Sequence, residues 1–157
     1  MSDDINLTPE TAANLINRID AMMPGILATE ERDARRAAEA QRRRLGLEIT
    51  PDDTAAYMLG AMDSLLARIR AYQNGERGKI VSEAALLAYI ERAAMYVTRD
   101  YAREASDKVT RIWDLWDAIH THVYELRKGA FPPSSTAAVF LSIERIAMTA
   151  QAERRKP

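Results

Sequence analysis

The chain has 157 residues, enough for one domain that buries roughly 70% of the surface its unfolded form exposes, so a core can form without staples. Its 22 Lys and Arg stand against 23 Asp and Glu for a formal charge of -1, and it has no Cys. This composition excludes disulfide frameworks, thiolate metal sites and Cys nucleophiles, and it leaves phosphate binding to a local basic patch rather than to the chain as a whole.

The first ten residues, MSDDINLTPE, are acidic where a secretory leader is basic and then apolar, so no targeting segment is expected. The longest apolar-plus-glycine stretch runs from Ala55 to Met62, far short of the roughly 20 residues a membrane helix requires. A soluble, cytoplasmic protein without a membrane partner is therefore expected, or one held within a virion or host cell if its origin is viral.

Thr8 as N-cap and Pro9 at the first helical position announce the first helix. Ala12, Leu15, Ile16, Ile19, Met22 and Met23 recur at steps of three and four and predict one core-facing stripe, ended by Pro24-Gly25. A second helix is expected to begin at Thr29, with Glu30 and Glu31 in its first turn, and to stop at Gly46. Thr50, Pro51, Asp52 and Asp53 repeat the start signal for a third helix. Its stripe is Ala55, Met58, Leu59, Met62, Leu65, Leu66, Ile69 and Tyr72, ending at Asn74-Gly75.

Ser82 caps the next helix, which turns Leu86, Leu87, Ile90, Ala94, Val97 and Tyr101 inward. From Ser82 to Lys128 there is neither Gly nor Pro, and the register continues through Ala105, Val109, Ile112, Trp116, Ile119, Val123 and Leu126. One long helix over about 82–128 fits that run. Arg103 with Asp107, Glu104 with Lys108 and Asp107 with Arg111 would each support it as i,i+4 pairs worth about 0.2–0.5 kcal/mol. A break near 105–107 fits as well, because Ser106-Asp107 is a good cap pair. Phe131-Pro132-Pro133 reads as a stiff connector, and Ser134 or Ser135 as the cap of a last helix with Val139, Phe140, Ile143, Ile146, Ala147 and Ala150 inward. The tail 151–157 is basic and polar and is expected to fray. Together these signals predict an all-α, single-domain bundle of five or six helices.

Both histidines lie in WDLWDAIHTH, the strongest candidate for a metal or catalytic site. On a helix His120 and His122 point roughly 200° apart, so they cannot grip one ion together. Asp117 and His120 have the i,i+3 spacing of a di-iron ligand pair, but no second such pair occurs. Asn74-Gly75-Glu76-Arg77-Gly78-Lys79 lacks the spacing of a phosphate loop, and no Gly-x-Ser-x-Gly elbow is present. No catalytic group, metal or cofactor is predicted.

Two features remain. Trp113, Trp116, His120 and Tyr124 share one side of a helix and read either as core packing or, for Trp113, Trp116 and Tyr124, as an aromatic anchor for a partner. Residues 28–44, ATEERDARRAAEAQRRR, carry Ala as their only apolar type, so a helix over about 29–45 is expected to lie at the periphery or project. Across 30–44, six Arg face four acids for a local net of +2, and Glu31 with Arg35 and Glu39 with Arg43 are i,i+4 pairs.

Ala34 and Ala38 would permit close helix approach, and Arg35, Arg36, Arg42, Arg43 and Arg44 would meet a protein partner. The resulting expectation is a non-catalytic interaction or assembly subunit of adaptor, scaffold or connector type, docking on copies of itself or on a larger complex. Its small size and Ala/Arg-rich makeup are compatible with a viral or prophage origin. The alternative is a helical nucleic-acid-binding regulator that uses the arginines of 32–44 against phosphates.

Overall fold

The computed structural model describes residues 8–76, 78, 80, 82–129 and 136–157. These form five α-helices and no strand: α1 Pro9–Arg44, α2 Pro51–Gln73, α3 Glu83–Asp100, α4 Asp107–Arg127 and α5 Thr136–Ala152, with short 3₁₀ turns at Arg103–Ala105 and Glu153–Arg155. No helix among the described residues is long and apolar enough to cross a membrane.

The start signals work as their chemistry predicts. Thr8, Ser82 and Ser106 each accept a hydrogen bond from the backbone N–H three residues on. Thr50 and Asp53 close a reciprocal capping box ahead of α2. Gly46, with φ +76°, ends α1 in a left-handed turn where Gly46 N–H reaches the carbonyl of Arg43 and Leu47 N–H that of Arg42. The Pro-Pro connector and the cap expected at Ser134 or Ser135 lie outside the described residues.

Helices α2 to α5 make most of the core, to which α1 adds Leu27 and Ala28, and α4 touches each of α2, α3 and α5. Its buried row is Val109, Ile112, Trp116, Ile119 and Val123, packed against Met58, Met62, Leu65 and Ile69 of α2, Leu86, Ile90 and Val97 of α3, and Phe140 and Ile143 of α5. These are the stripes the periodicity predicts. The indole N–H of Trp116 donates to the carbonyl of Met58 across the α2–α4 contact, at 3.2 Å.

Between α3 and α4 the helix is broken, so the 82–128 run is two helices. Tyr101 is extended at φ -120°, ψ 134°, and Ser106 caps α4. Ala105 is therefore exposed in a 3₁₀ turn rather than inward, and the i,i+4 pairs that presumed continuity do not form. Arg103 instead forks onto Asp114 at 2.7 and 3.0 Å, and Arg111 reaches Glu153.

The first two predicted helices are one. Pro24 lies inside α1 and is buried. Its ring removes one helical hydrogen bond and crowds the carbonyl four residues back, a local cost of about 3 kcal/mol. Offsetting this, the residues beyond it bind the bundle along α3. Thr29, expected as a cap, shares a hydrogen bond with the Tyr96 hydroxyl at 2.8 Å.

The tail is likewise anchored. Glu153 is buried and accepts from Arg111 at 2.8 Å and Lys156 at 3.0 Å, while Arg154 reaches Asp63 of α2 at 2.6 Å. Burial alone would push the Glu153 carboxyl up, but Arg111 and Lys156 outweigh it and hold it below the usual carboxylate range. Asp63 is held low in the same way by Arg154 and Gln151 against a burial that would raise it.

A carboxyl whose folded pKa is depressed contributes stability above its unfolded value and loses it as pH falls through the folded one. That stability begins to be lost below about pH 4, where ordinary carboxyls protonate, and the tail is expected to detach before the core opens as the pH falls further, through the depressed values. Hydrogen-exchange protection factors at pH 7 and pH 3 check this, and Glu153→Gln should reproduce the loss at pH 7. Equal tail protection in all three cases would exclude the clamp.

Candidate interaction surface

Helix α1 is two different surfaces in succession. Its later part, 27–44, rests one edge on α3 and α2 through polar groups more than apolar ones. Only Leu27, Ala28 and Glu39 are buried there. Arg32 forks onto Asp100 at 2.7 and 3.0 Å and lies over the Tyr96 ring, 5.0 Å from its centre. That carboxylate raises the guanidinium's pKa above its ordinary value.

Glu31 accepts from Arg68 at 2.8 Å and from the buried Tyr89 hydroxyl at 2.5 Å. Burial, then the adjacent Glu31 charge, pushes the Tyr89 phenol far up, so it stays a donor. Glu39 accepts from Tyr101 at 2.7 Å and Arg36 at 3.1 Å.

The helix expected to lie at the periphery or project is docked along one edge, with its charged outer side at the periphery. Its two key acids turn inward, so Glu31 meets Arg68 rather than Arg35, and Glu39 meets Arg36 rather than Arg43. Of the predicted partner-binding residues, Arg36 is held by Glu39 and Arg42 by Asp53 at 3.1 Å. Ala34 and Arg35 line a shallow groove of 280 Å³ against Tyr57 and Gly60 of α2. Ala38, Arg43 and Arg44 are exposed. The arginines thus do not converge on one free basic face.

The earlier part, from Pro9 to Met23, has no buried residue. The stripe read as core faces outward: Leu15 is 47% exposed, Ile16 57%, Ile19 48%, Met22 62% and, one turn on, Ile26 40%. On a helical wheel its centre lies roughly 140° from the docked edge marked by Pro24, Leu27, Ala28 and Glu31. A stripe that looks away from the bundle cannot be completed by it. Met22 and Ile26 also border an open cleft of 730 Å³ between α1 and α3, lined across from them by Ala88, Arg92 and Met95.

The aromatic candidates separate. Trp116 is fully buried, and Trp113 is half-buried with its N–H donating to the carbonyl of Thr98 at 3.2 Å, so both hold the core together. Tyr124 is 44% exposed, stacked on His120 with centres 6.3 Å apart and covered by Lys128. His120 is thus engaged by Tyr124, and both His120 and His122 are half-buried. Among the described residues no three His, Asp or Glu are placed to hold a metal ion.

Sequence reasoning missed the outward stripe because an apolar row reads the same whether its partner is in the chain or outside it. One signal was present: the three-four spacing continues from Met22 to Ile26 across Pro24, as it does only in an unbroken helix. No protein-family model matches this chain, and no curated protein or solved structure does so either.

Proposed function

We propose that this chain is a helical interaction or assembly subunit, of adaptor, scaffold or connector type, that engages its partner through the outer face of α1 between Ala12 and Ile26. The observation that carries the reading is the row of five large apolar side chains exposed on a helix that its own bundle does not cover. Contiguous apolar surface rimmed by polar residues marks interaction sites in soluble domains. The stretch of α1 from Pro9 to Met23 buries no side chain, and a helical segment that short is marginal in water by itself, so a partner would stabilise it as well as cover it.

The nucleic-acid alternative is less well supported, since Arg32, Arg36 and Arg42 each face a carboxylate and the whole chain carries -1. Ile16→Asp with Ile19→Asp is expected to leave the fold within about 0.5 kcal/mol of wild type, because both side chains are exposed. The same pair should abolish capture of the partner from extract of the source cell. Capture that survives this change but fails with Arg43→Gln and Arg44→Gln would move the site to the arginine end.

A further inference from the structure

We infer that residues 9–23 of α1 form a strap that closes on the N-terminal end of α3 by tilting about Pro24 and Gly25, with Asp20 latching onto Arg127 of α4. The closure is a property of the chain by itself and does not depend on the interaction reading above. After the tilting point, α1 is fastened to the bundle through Leu27, Ala28, Thr29 and Arg32. Before it, from Pro9 to Met23, no side chain is buried. The junction is the weak point of the helix. Pro24 has no N–H for the Asp20 carbonyl one turn back, and its ring crowds that carbonyl, which bends a helix away from the side the proline occupies. Pro24 is buried on the bundle side, so the bend lifts the strap off α3. A Cβ at Gly25 would meet nothing within 4 Å, so packing does not call for glycine there, and what glycine supplies is backbone freedom.

Beneath the strap lies an open cleft of 480 Å³, with Asn17, Asp20 and Ala21 on one wall and Ser82, Ala84 and Ala85 on the other. The alanines leave nothing bulky to block a closer approach. Arg127 also lines this cleft, and it is the one base among the lining residues, as Asp20 is the one acid. Asp20 is half-buried and makes no hydrogen bond or ion pair with any described residue. Arg127 is held by Glu91 through Nη1, which leaves other N–H groups of its guanidinium for a second carboxylate. Ser82 is the N-cap of α3, so the Asp20 carboxylate closes toward the helix end whose dipole favours negative charge. A tilt of ~20° moves the Asp20 backbone ~2 Å and the Pro9 end ~8 Å, so the latch needs little movement while the far end of the strap travels most. Leu15, Ile16, Ile19 and Met22 lie on the far side of the strap and stay outward on closure. The device therefore steadies the proposed interaction face and does not mask it.

The test uses the whole chain, which has no Cys of its own. Asn17→Cys with Ala84→Cys, both exposed positions across the cleft, is expected to form an internal disulfide under mild oxidation, because closure brings the two backbones within bonding range. Its rate is read against alkylation of the same thiols, which removes any change in their reactivity. Asp20→Asn and Arg127→Gln should each slow disulfide formation about tenfold, and together they should slow it no further than either does alone. Arg127→Lys should keep most of the rate. Ile16→Asp with Ile19→Asp should leave it unchanged, so the strap and the interaction reading fail separately. An absent internal disulfide, a bond formed only between chains, or a rate indifferent to Asp20→Asn would each overturn the inference.

Discussion

Replacing Trp116 by Ala is expected to destabilise the protein by about 3–5 kcal/mol, the range for deleting a large buried aromatic. Trp116 is fully buried where α4 meets α2, among residues that are themselves inaccessible to solvent. Truncation opens a cavity that helices on several sides cannot all close by shifting, and it removes the hydrogen bond to Met58. Trp116→Phe keeps an aromatic ring there and should lose about 1–3 kcal/mol through the smaller volume and the missing N–H. Tyr124→Ala, on the same helix but with its side chain 44% exposed and resting on His120 and Lys128, should stay within about 0.5 kcal/mol. Urea denaturation with an unchanged slope and a shifted midpoint measures all three. If Trp116→Ala and Tyr124→Ala had equal effects, the core would not be centred where the structure puts it.

That contrast also shows what periodicity can and cannot resolve. Trp113, Trp116, His120 and Tyr124 lie on one side of α4, yet the buried row runs through Val109, Ile112, Trp116, Ile119 and Val123 and shares only Trp116 with them. Both rows have helical spacing, and the aliphatic one is the core because it faces three other helices. Across α2 to α5 the sequence was legible for this reason: each stripe has an internal partner, and Thr50, Ser82 and Ser106 mark the helix starts by hydrogen bonds that are local in the chain.

Helix α1 was not legible, because its state depends on contacts far away in sequence. Pro24 is a local stop signal overridden by docking onto α3, through pairs such as Arg32 with Asp100 that are 68 residues apart. The roles within α1 were inverted for the same reason. An Ala/Arg-rich segment looks unable to bury a face, since apolar area is what composition counts. It docks here by aiming carboxylates at tyrosines and arginines on neighbouring helices. The apolar segment before it looks like core and is left uncovered.

Glu39 tests this polar mode of docking. A projecting helix would lose nothing when an acid in its middle is replaced by Ala. In this structure Glu39 is 2% exposed and Tyr101 7%, and the carboxylate accepts the phenol at 2.7 Å. Burial and the bond to Glu39 push the Tyr101 phenol well above its ordinary value, so it remains a donor that needs an acceptor. Glu39→Ala is expected to cost about 2–4 kcal/mol, from the lost charge-assisted bond and a buried hydroxyl left without its partner. Tyr101→Phe should cost about 1.5–3 kcal/mol, because the buried carboxylate then keeps Arg36 alone. The double variant leaves neither group stranded and should be less destabilised than the two single losses added, by about 1–2 kcal/mol in a double-mutant cycle. Additive effects would mean that the two groups do not act as a pair. A near-neutral Glu39→Ala would mean that this stretch of α1 leaves the bundle in solution, and the polar contacts with Tyr89, Tyr96 and Asp100 would fall with it.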